Sequence, residues 1–222
     1  MPFDGRRFGM ILLVAAAGLA PAAPAQAAKA SAAQQAAADT CFGKAKSDWQ
    51  KLVSACTAMI AANIRPDLKA AAYFNRGAAQ VKLGQGEKAM PDFDAALAIM
   101  PDFARALEAR GALLFTQGKL DAALKDLDRA ITLDPKAGGA LNSRALVRLQ
   151  KGDSAGALAD FDRVISLDGR DVGALVNRGV LLAATGETAR ARADFEAALA
   201  ADPGNGPARA QLDALSAGKE AK

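Results

Sequence analysis

The fold is decided by residues 104–135, which read ARALEARGALLFTQGKLDAALKDLDRAITLDP. The first half carries apolar residues at helical spacing until Gly118 breaks the pattern, and the second half repeats such a pattern until Pro135. Apolar residues three and four positions apart share one helix face, while glycine and proline mark helix ends. The stretch therefore predicts two short helices joined by a tight turn, each with an apolar face that needs a neighbour.

The same pattern recurs along the chain with a fixed period of about 34 residues. Five kinds of position repeat: a small residue on the first helix, then an alanine, a large apolar residue, a small apolar residue and a closing turn residue. In that order they are Gly77, Gly111, Ala145 and Gly179; Ala89, Ala123, Ala157 and Ala191; Phe93, Leu127, Phe161 and Phe195; Ala96, Ala130, Val164 and Ala198; Pro101, Pro135, Gly169 and Pro203. A fixed period at independent positions indicates stacked helix pairs, in which each unit buries the apolar face of the next.

The period and these recurring positions resemble the tetratricopeptide repeat family from Ala70 to Pro203. The resemblance implies an all-α, right-handed α-solenoid of stacked helix-turn-helix repeats, with the first helices lining a concave face. The four full units are expected at 70–103, 104–137, 138–171 and 172–205. Gly169 departs from the closing proline. Pro91 lies within a second helix and predicts irregularity in unit one, because proline removes a helical hydrogen bond.

A terminal repeat exposes an apolar face, so both ends of the stack are expected to carry caps. Ala55, Met59 and Ala62 lie one period before the matching positions of unit one, which predicts a degenerate repeat at 39–69. An Ala- and Gln-rich segment, 28–38, precedes it. The C-terminal sequence predicts a capping helix at 206–217, followed by a frayed tail at 218–222.

The first 27 residues have the pattern of a secretory signal peptide. Arg6 and Arg7 precede an apolar run, and small residues end the stretch at Ala25 to Ala27. We predict cleavage after Ala27 and a periplasmic or secreted protein; an uncleaved membrane anchor is the alternative. The rest of the chain has no second apolar segment of spanning length, so no stable membrane insertion is expected after cleavage.

The chain contains two cysteines, Cys41 and Cys56, and no histidine. Two cysteines without histidine supply too few ligands for a zinc site, and their spacing does not fit a C-x-x-C redox pair. An exported chain with two cysteines most simply forms one disulfide. A disulfide that closes such a loop of about 15 residues stabilises the folded state by on the order of 3 kcal/mol. We predict this disulfide, no metal and no cofactor.

The composition argues against catalysis and against nucleic acid binding. Without histidine the chain lacks a Ser-His-Asp or Cys-His nucleophile system, and no carboxylate pair or phosphate-binding loop stands out. The formal net charge of +4 is mild, and the Lys and Arg residues are scattered rather than clustered. A ligand-binding or catalytic groove that uses Arg105 and Glu108 is the enzymatic alternative.

An arginine and an aspartate repeat with the same period. Each arginine precedes the small residue of the first helix, and each aspartate follows its arginine at one constant separation. They are Arg76, Arg110, Arg144 and Arg178, with Asp92, Asp126, Asp160 and Asp194. An arginine ladder that binds an anionic ligand is one interpretation. The one-to-one match favours structural pairs, because a carboxylate in bidentate geometry offsets the cost of burying an arginine.

Registration with the family assigns positions to the concave groove. They are Phe74, Asn75, Ala78, Lys82, Arg105, Glu108, Ala112, Phe115, Asn142, Ser143, Leu146, Gln150, Val176, Asn177, Val180 and Ala183. A clamp for a peptide carboxylate is absent, because Phe74 and Ala78 replace its lysine and asparagine. Asn75, Ser143 and Asn177 form a partial amide ladder for a peptide backbone, which Ala109 interrupts; a solvated polar face is the alternative.

These positions predict a non-enzymatic scaffold of the cell envelope that binds a protein or peptide segment in its groove. The chain is expected to be a monomer or a weak homo-oligomer and to bind no nucleic acid. The alternative is a structural protein that self-associates through its repeat ends or its C-terminal helix.

Overall fold

The computed structural model describes residues 31–43 and 48–220 of the chain. This part folds into eleven helices stacked in antiparallel pairs. They are α1 (Ala32–Phe42), α2 (Trp49–Ala61), α3 (Pro66–Lys82), α4 (Gly86–Ile99), α5 (Ala104–Thr116), α6 (Leu120–Leu133), α7 (Gly138–Gln150), α8 (Ser154–Leu167), α9 (Val172–Ala184), α10 (Thr188–Ala201) and α11 (Gly206–Glu220). The predicted signal peptide, residues 1–27, lies outside the described residues. None of the described helices has the length and apolar character needed to cross a membrane.

Four helix pairs, α3–α4 to α9–α10, form units one to four. The second helix of every unit has 14 residues and begins one sequence period after the previous one. The turn inside each pair contains a glycine with φ between 72° and 87°, a left-handed conformation that favours glycine. These glycines are Gly84, Gly118, Gly152 and Gly186. The sequence period therefore corresponds to one helix pair, as predicted.

The small residue of the first helix lets the second helix approach closely. A Cβ atom on Gly179 would lie 2.6 Å from Phe195 Cε1, and one on Gly111 would lie 2.8 Å from Leu127 Cγ. Both large side chains are fully buried, like their counterparts Phe93 and Phe161. Burying one large apolar side chain contributes about 1.5–3 kcal/mol, so this contact is a main source of stability in each pair.

Unit one is regular at Pro91, contrary to the sequence-based expectation. Helix α4 runs continuously through this proline and has the same length as the other second helices. Pro91 and Glu87, whose carbonyl loses its helical donor, are both exposed, so water can bind that carbonyl. The irregularity lies in α3, which has 17 residues where α5 has 13. Its extension begins at Pro66, a residue type suited to the first helical turn.

The N-terminal cap consists of α1 and α2, and the predicted disulfide joins them. Cys41 and Cys56 are bonded, with their Cα atoms 4.9 Å apart, and both are fully buried. They pack with Leu52 and Met59 of α2 and with side chains of α3. Helix α1 crosses the predicted boundary at residues 38 and 39, so the cap begins inside the Ala- and Gln-rich segment. At the other end, α11 packs against α10 and buries Ala208.

Candidate functional site

Every repeat arginine is bound by the aspartate of its own unit. In all four units the arginine Nε and Nη2 atoms donate to the two carboxylate oxygens over 2.6–3.0 Å. The aspartates are buried. This bidentate geometry is the strongest form of the pair. The arginines are consequently committed to holding the first helix against the second, which leaves little of their charge for an anionic ligand.

A second carboxylate links neighbouring units. The Nη1 atom of Arg144 donates to Asp128 on the second helix of the preceding unit over 2.7 Å. Arg110 with Asp94 and Arg178 with Asp162 repeat this contact. Hydrogen bonds with Asp126, and then with Asp94, hold the pKa of Arg110 above its ordinary value, although burial lowers it. Sequence reasoning missed this second row, although its members are also spaced by one repeat period.

A large concavity lies between the first helices of units one and two. It has a volume of about 530 Å³ and a mostly apolar lining. Helices α3 and α5 form its walls, and α4 forms its floor. The lining residues are Ala78, Val81, Lys82, Gly84, Gly86, Phe93, Glu108, Ala109, Ala112, Leu113 and Thr116. We call it the α3–α5 pocket.

Small side chains create the α3–α5 pocket at this junction. Ala112 stands where units three and four have Leu146 and Val180, and Gly86 stands where unit two has Leu120. A Cβ atom on Gly86 would lie 3.0 Å from Leu113 Cδ1, so Leu113 packs directly against the glycine backbone. The repeat pattern therefore leaves space here that the bulkier residues occupy at the later junctions.

Glu108 lines the pocket from α5, and its carboxylate lies at the edge of the pocket, against Gly139 in the first turn of α7. Burial raises the pKa of Glu108 above its ordinary value; Arg105 lowers the pKa and Asp134 raises it further. No hydrogen bond or ion pair to its side chain is found within residues 31–43 and 48–220. The guanidinium of Arg105 lies instead over the ring of Phe74, 4.8 Å from the centroid. Glu108 is thus a half-buried charge that the described part of the chain leaves without a direct partner.

We expect the stability of the Glu108→Gln variant, relative to the wild type, to increase as the pH rises. A raised folded-state pKa gives the wild type extra stability below the ordinary carboxyl pKa of about 4.3, and this stability is lost as the pH rises through the raised value. The difference in unfolding free energy, variant minus wild type, should therefore be larger at about pH 7 than at about pH 4. Urea denaturation at both pH values measures it. Equal differences at both would show that the carboxylate is fully solvated.

Two predicted groove residues lie in the core instead. Phe74 is buried, with its ring 5.0 Å from that of Phe103 and 6.2 Å from that of Phe93. Asn75 is buried too, and its Nδ2 donates to the carbonyl oxygen of Cys41 over 3.0 Å. Both assignments to the groove are corrected for the same reason: the N-terminal cap and the start of α5 cover this end of α3.

The remaining predicted groove residues are distributed along the stack. Asn177 Nδ2 donates to Asn142 Oδ1 over 3.3 Å, and Asn177 also lines a smaller depression of about 250 Å³ beside Pro207. Val180 is exposed, and Ser143 is half-buried. Phe115 and Leu146 are partly covered by the core clusters of their own units. Of the predicted positions, Ala78, Lys82, Glu108 and Ala112 are the ones that meet in the α3–α5 pocket.

The described residues contain no cluster of three or more Asp, Glu, Cys or His side chains that could hold a metal ion. The pocket lining is apolar apart from the side chains of Glu108, Lys82 and Thr116. Such a lining can bind apolar groups and orient charges.

Solved structures with the same architecture include several repeat proteins. PilF of Pseudomonas aeruginosa is 20% identical, with a TM-score of 0.72 over 85% of each chain. YrrB, described as a TPR protein with an unusual peptide-binding site, is 23% identical, with a TM-score of 0.60 over 76% of this chain and 85% of its own. A tetratricopeptide repeat protein from Parabacteroides merdae is 20% identical, with a TM-score of 0.65 over 82% and 72%. These identities show the shared fold alone.

No curated protein matches the chain at a significant level. The sequence model described as Tetratricopeptide repeat, however, matches residues 74–138 and 142–206, which is more than half of the chain. The matched segments are the four helix pairs that carry the arginine–aspartate contacts. The chain belongs to the tetratricopeptide repeat family.

Proposed function

We propose that this protein is a non-enzymatic interaction module that binds a segment of a partner protein in the α3–α5 pocket. The observation that carries the proposal is the pocket itself. About 530 Å³ lies within the range of specific binding sites, and the lining is predominantly apolar with a few polar groups. Members of the family bind protein or peptide partners, which supports the same conclusion.

The anchor of the partner is an apolar side chain. Val81 and Leu113 present apolar surface to the pocket, and three alanines leave room between them. Burying a leucine- or phenylalanine-sized side chain against such a surface yields about 1.5–3 kcal/mol. The concave first helices extend beyond the pocket, past Leu146 and Val180, and provide further contact for an extended segment.

The place of action is the cell envelope or the exterior. The N-terminal signal pattern and the buried disulfide support export into an oxidising compartment, because such bonds are rare in the reducing cytosol. N-terminal sequencing of the exported protein tests this placement, with Ala28 expected as the first residue. A protein that retains Met1 would favour the membrane-anchor alternative.

Filling the pocket should weaken partner binding. Ala112→Leu copies the leucine that unit three carries at the matching position, Leu146, so the helix pair is expected to fold. Peptides selected from a random display library on the exported protein should bind the variant about tenfold more weakly or worse, a loss of about 1.4 kcal/mol. Isothermal titration calorimetry measures the difference.

The matched control is Ala122→Leu, the same change at an exposed position of α6 in the same unit. It should leave the affinity unchanged. The pocket is supported as the binding site if Ala112→Leu loses affinity for the peptides while Ala122→Leu binds them as tightly as the wild type. Unchanged binding by Ala112→Leu would place the binding surface elsewhere, and size-exclusion chromatography with light scattering would then test self-association.

A further inference from the structure

We infer that Glu108 selects partner segments in which a lysine or arginine lies beside the apolar residue that fills the α3–α5 pocket. This inference rests on the proposed function and names the chemistry of the partner. It follows from the contrast between Glu108 and the other covered carboxylates.

The repeat aspartates show how this protein stabilises a buried carboxylate. Asp126 accepts two hydrogen bonds from Arg110, and the matching aspartates of the other units are held in the same way. Glu108 is half-buried and lies in the pocket lining, yet the described residues give it no hydrogen bond or ion pair. Burial raises the pKa of Glu108, which indicates that its charged form is poorly solvated. An incoming cation would supply the missing contact.

The carboxylate of Glu108 also lies against the first turn of α7. A Cβ atom on Gly139 would collide with Glu108 Oε1, so the glycine leaves room for the carboxylate at this junction. The N-terminus of a helix favours negative charge nearby. The pKa of Glu108 is raised all the same, so this contact does not replace the lost hydration.

Among the described residues, neither Arg105 nor Lys82 makes a hydrogen bond or ion pair with Glu108. Arg105 lies over Phe74 and contributes to Glu108 only through space. Lys82 is exposed on the wall formed by α3, while Glu108 is on the wall formed by α5. Asp134 adds negative potential near Glu108. The edge of the pocket between α5 and α7 is therefore complementary to a basic group, and the apolar lining binds an apolar side chain beside it.

Charge-assisted hydrogen bonds gain strength where water is partly excluded, so the pair should contribute to specificity as well as affinity. A neutral partner residue, even one that donates a hydrogen bond as glutamine does, would leave the charge of the half-buried carboxylate uncompensated. We therefore expect about tenfold weaker binding when the basic residue of a selected peptide is replaced by glutamine.

The test is a selection of random displayed peptides on the exported wild-type protein and on three variants. Wild-type selections should be enriched in a large apolar residue with a neighbouring lysine or arginine. Glu108→Gln should keep the apolar enrichment and lose the basic one, and Glu108→Lys should exchange it for aspartate or glutamate. Glu196→Gln, the same change at an exposed position of α10 outside the pocket lining, should keep the basic preference.

The outcomes separate this inference from the proposed function. Two outcomes would overturn the role of Glu108 while leaving the pocket intact. In one, peptides selected on the wild type are enriched in apolar residues without a basic preference. In the other, the basic preference persists in Glu108→Gln. Selected peptides that bind Ala112→Leu as tightly as the wild type overturn the pocket, and the inference with it.

Discussion

Replacing Asp160 with alanine is expected to lower the free energy of unfolding by about 3 kcal/mol. Asp160 accepts hydrogen bonds from Arg144 Nε and Nη2 and from Arg148 Nη1, over 3.0, 2.7 and 2.8 Å. Its removal leaves two guanidinium groups without their main partner between α7 and α8. Breaking a buried pair typically costs about 3–5 kcal/mol. We expect the lower end, because the side chains of Arg144 and Arg148 are still 16% and 27% exposed.

Asp128 provides the matched control, because Arg144 donates to both aspartates. The side chain of Asp128 is 57% exposed, and that of Asp160 is 5% exposed. Asp128→Ala should therefore lose less than about 1 kcal/mol. Urea denaturation followed by far-UV circular dichroism measures both variants. Equal losses would mean that the buried pairs do not hold the helix pairs together.

Removal of the disulfide should release the N-terminal cap. In the double variant Cys41→Ala and Cys56→Ala, we expect a loss on the order of 3 kcal/mol, from the loop of about 15 residues that the bond closes. The effect should concentrate in α1, where Cys41 is the one fully buried residue. The backbone carbonyl of Cys41 accepts a hydrogen bond from Asn75. This contact should weaken too, because α1 is no longer held in place by the disulfide.

Amide hydrogen exchange resolves where that stability is lost. Residues of α1 should exchange much faster in the double alanine variant than in the oxidised wild type. Helix α9, which lies in unit four, serves as the internal reference and should keep its protection. Unchanged protection of α1 would show that packing alone holds the cap.

The repeat architecture could be predicted because it depends on residues that recur. Gly111 and Leu127, or Gly179 and Phe195, form the same contact in different units, so the period alone identified them. The arginine–aspartate pairing followed from the same period. Asp94, Asp128 and Asp162 are equally periodic, but each of them accepts a hydrogen bond from the arginine of the next unit. Spacing within one unit therefore did not reveal these contacts.

The pocket could not be predicted because it depends on departures from the repeat. Gly86 and Ala112 create the α3–α5 pocket because they lack the larger side chains at the matching positions of later units. The positions of Phe74 and Asn75 were misjudged for a related reason. Registration assumes an open concave face, whereas the cap and Phe103 cover this end of α3. Both the pocket and the burial of Phe74 and Asn75 depend on residues outside the repeat unit concerned.

Backbone amide chemical-shift mapping by NMR tests most directly whether the α3–α5 pocket binds the partner. A peptide selected on the exported protein is added, and shifts are compared along the chain. We expect the largest changes at Ala78, Ala109, Ala112 and Leu113, with little change in α6, α8 and α10. Changes concentrated in α6, α8 or α11 would contradict the proposal.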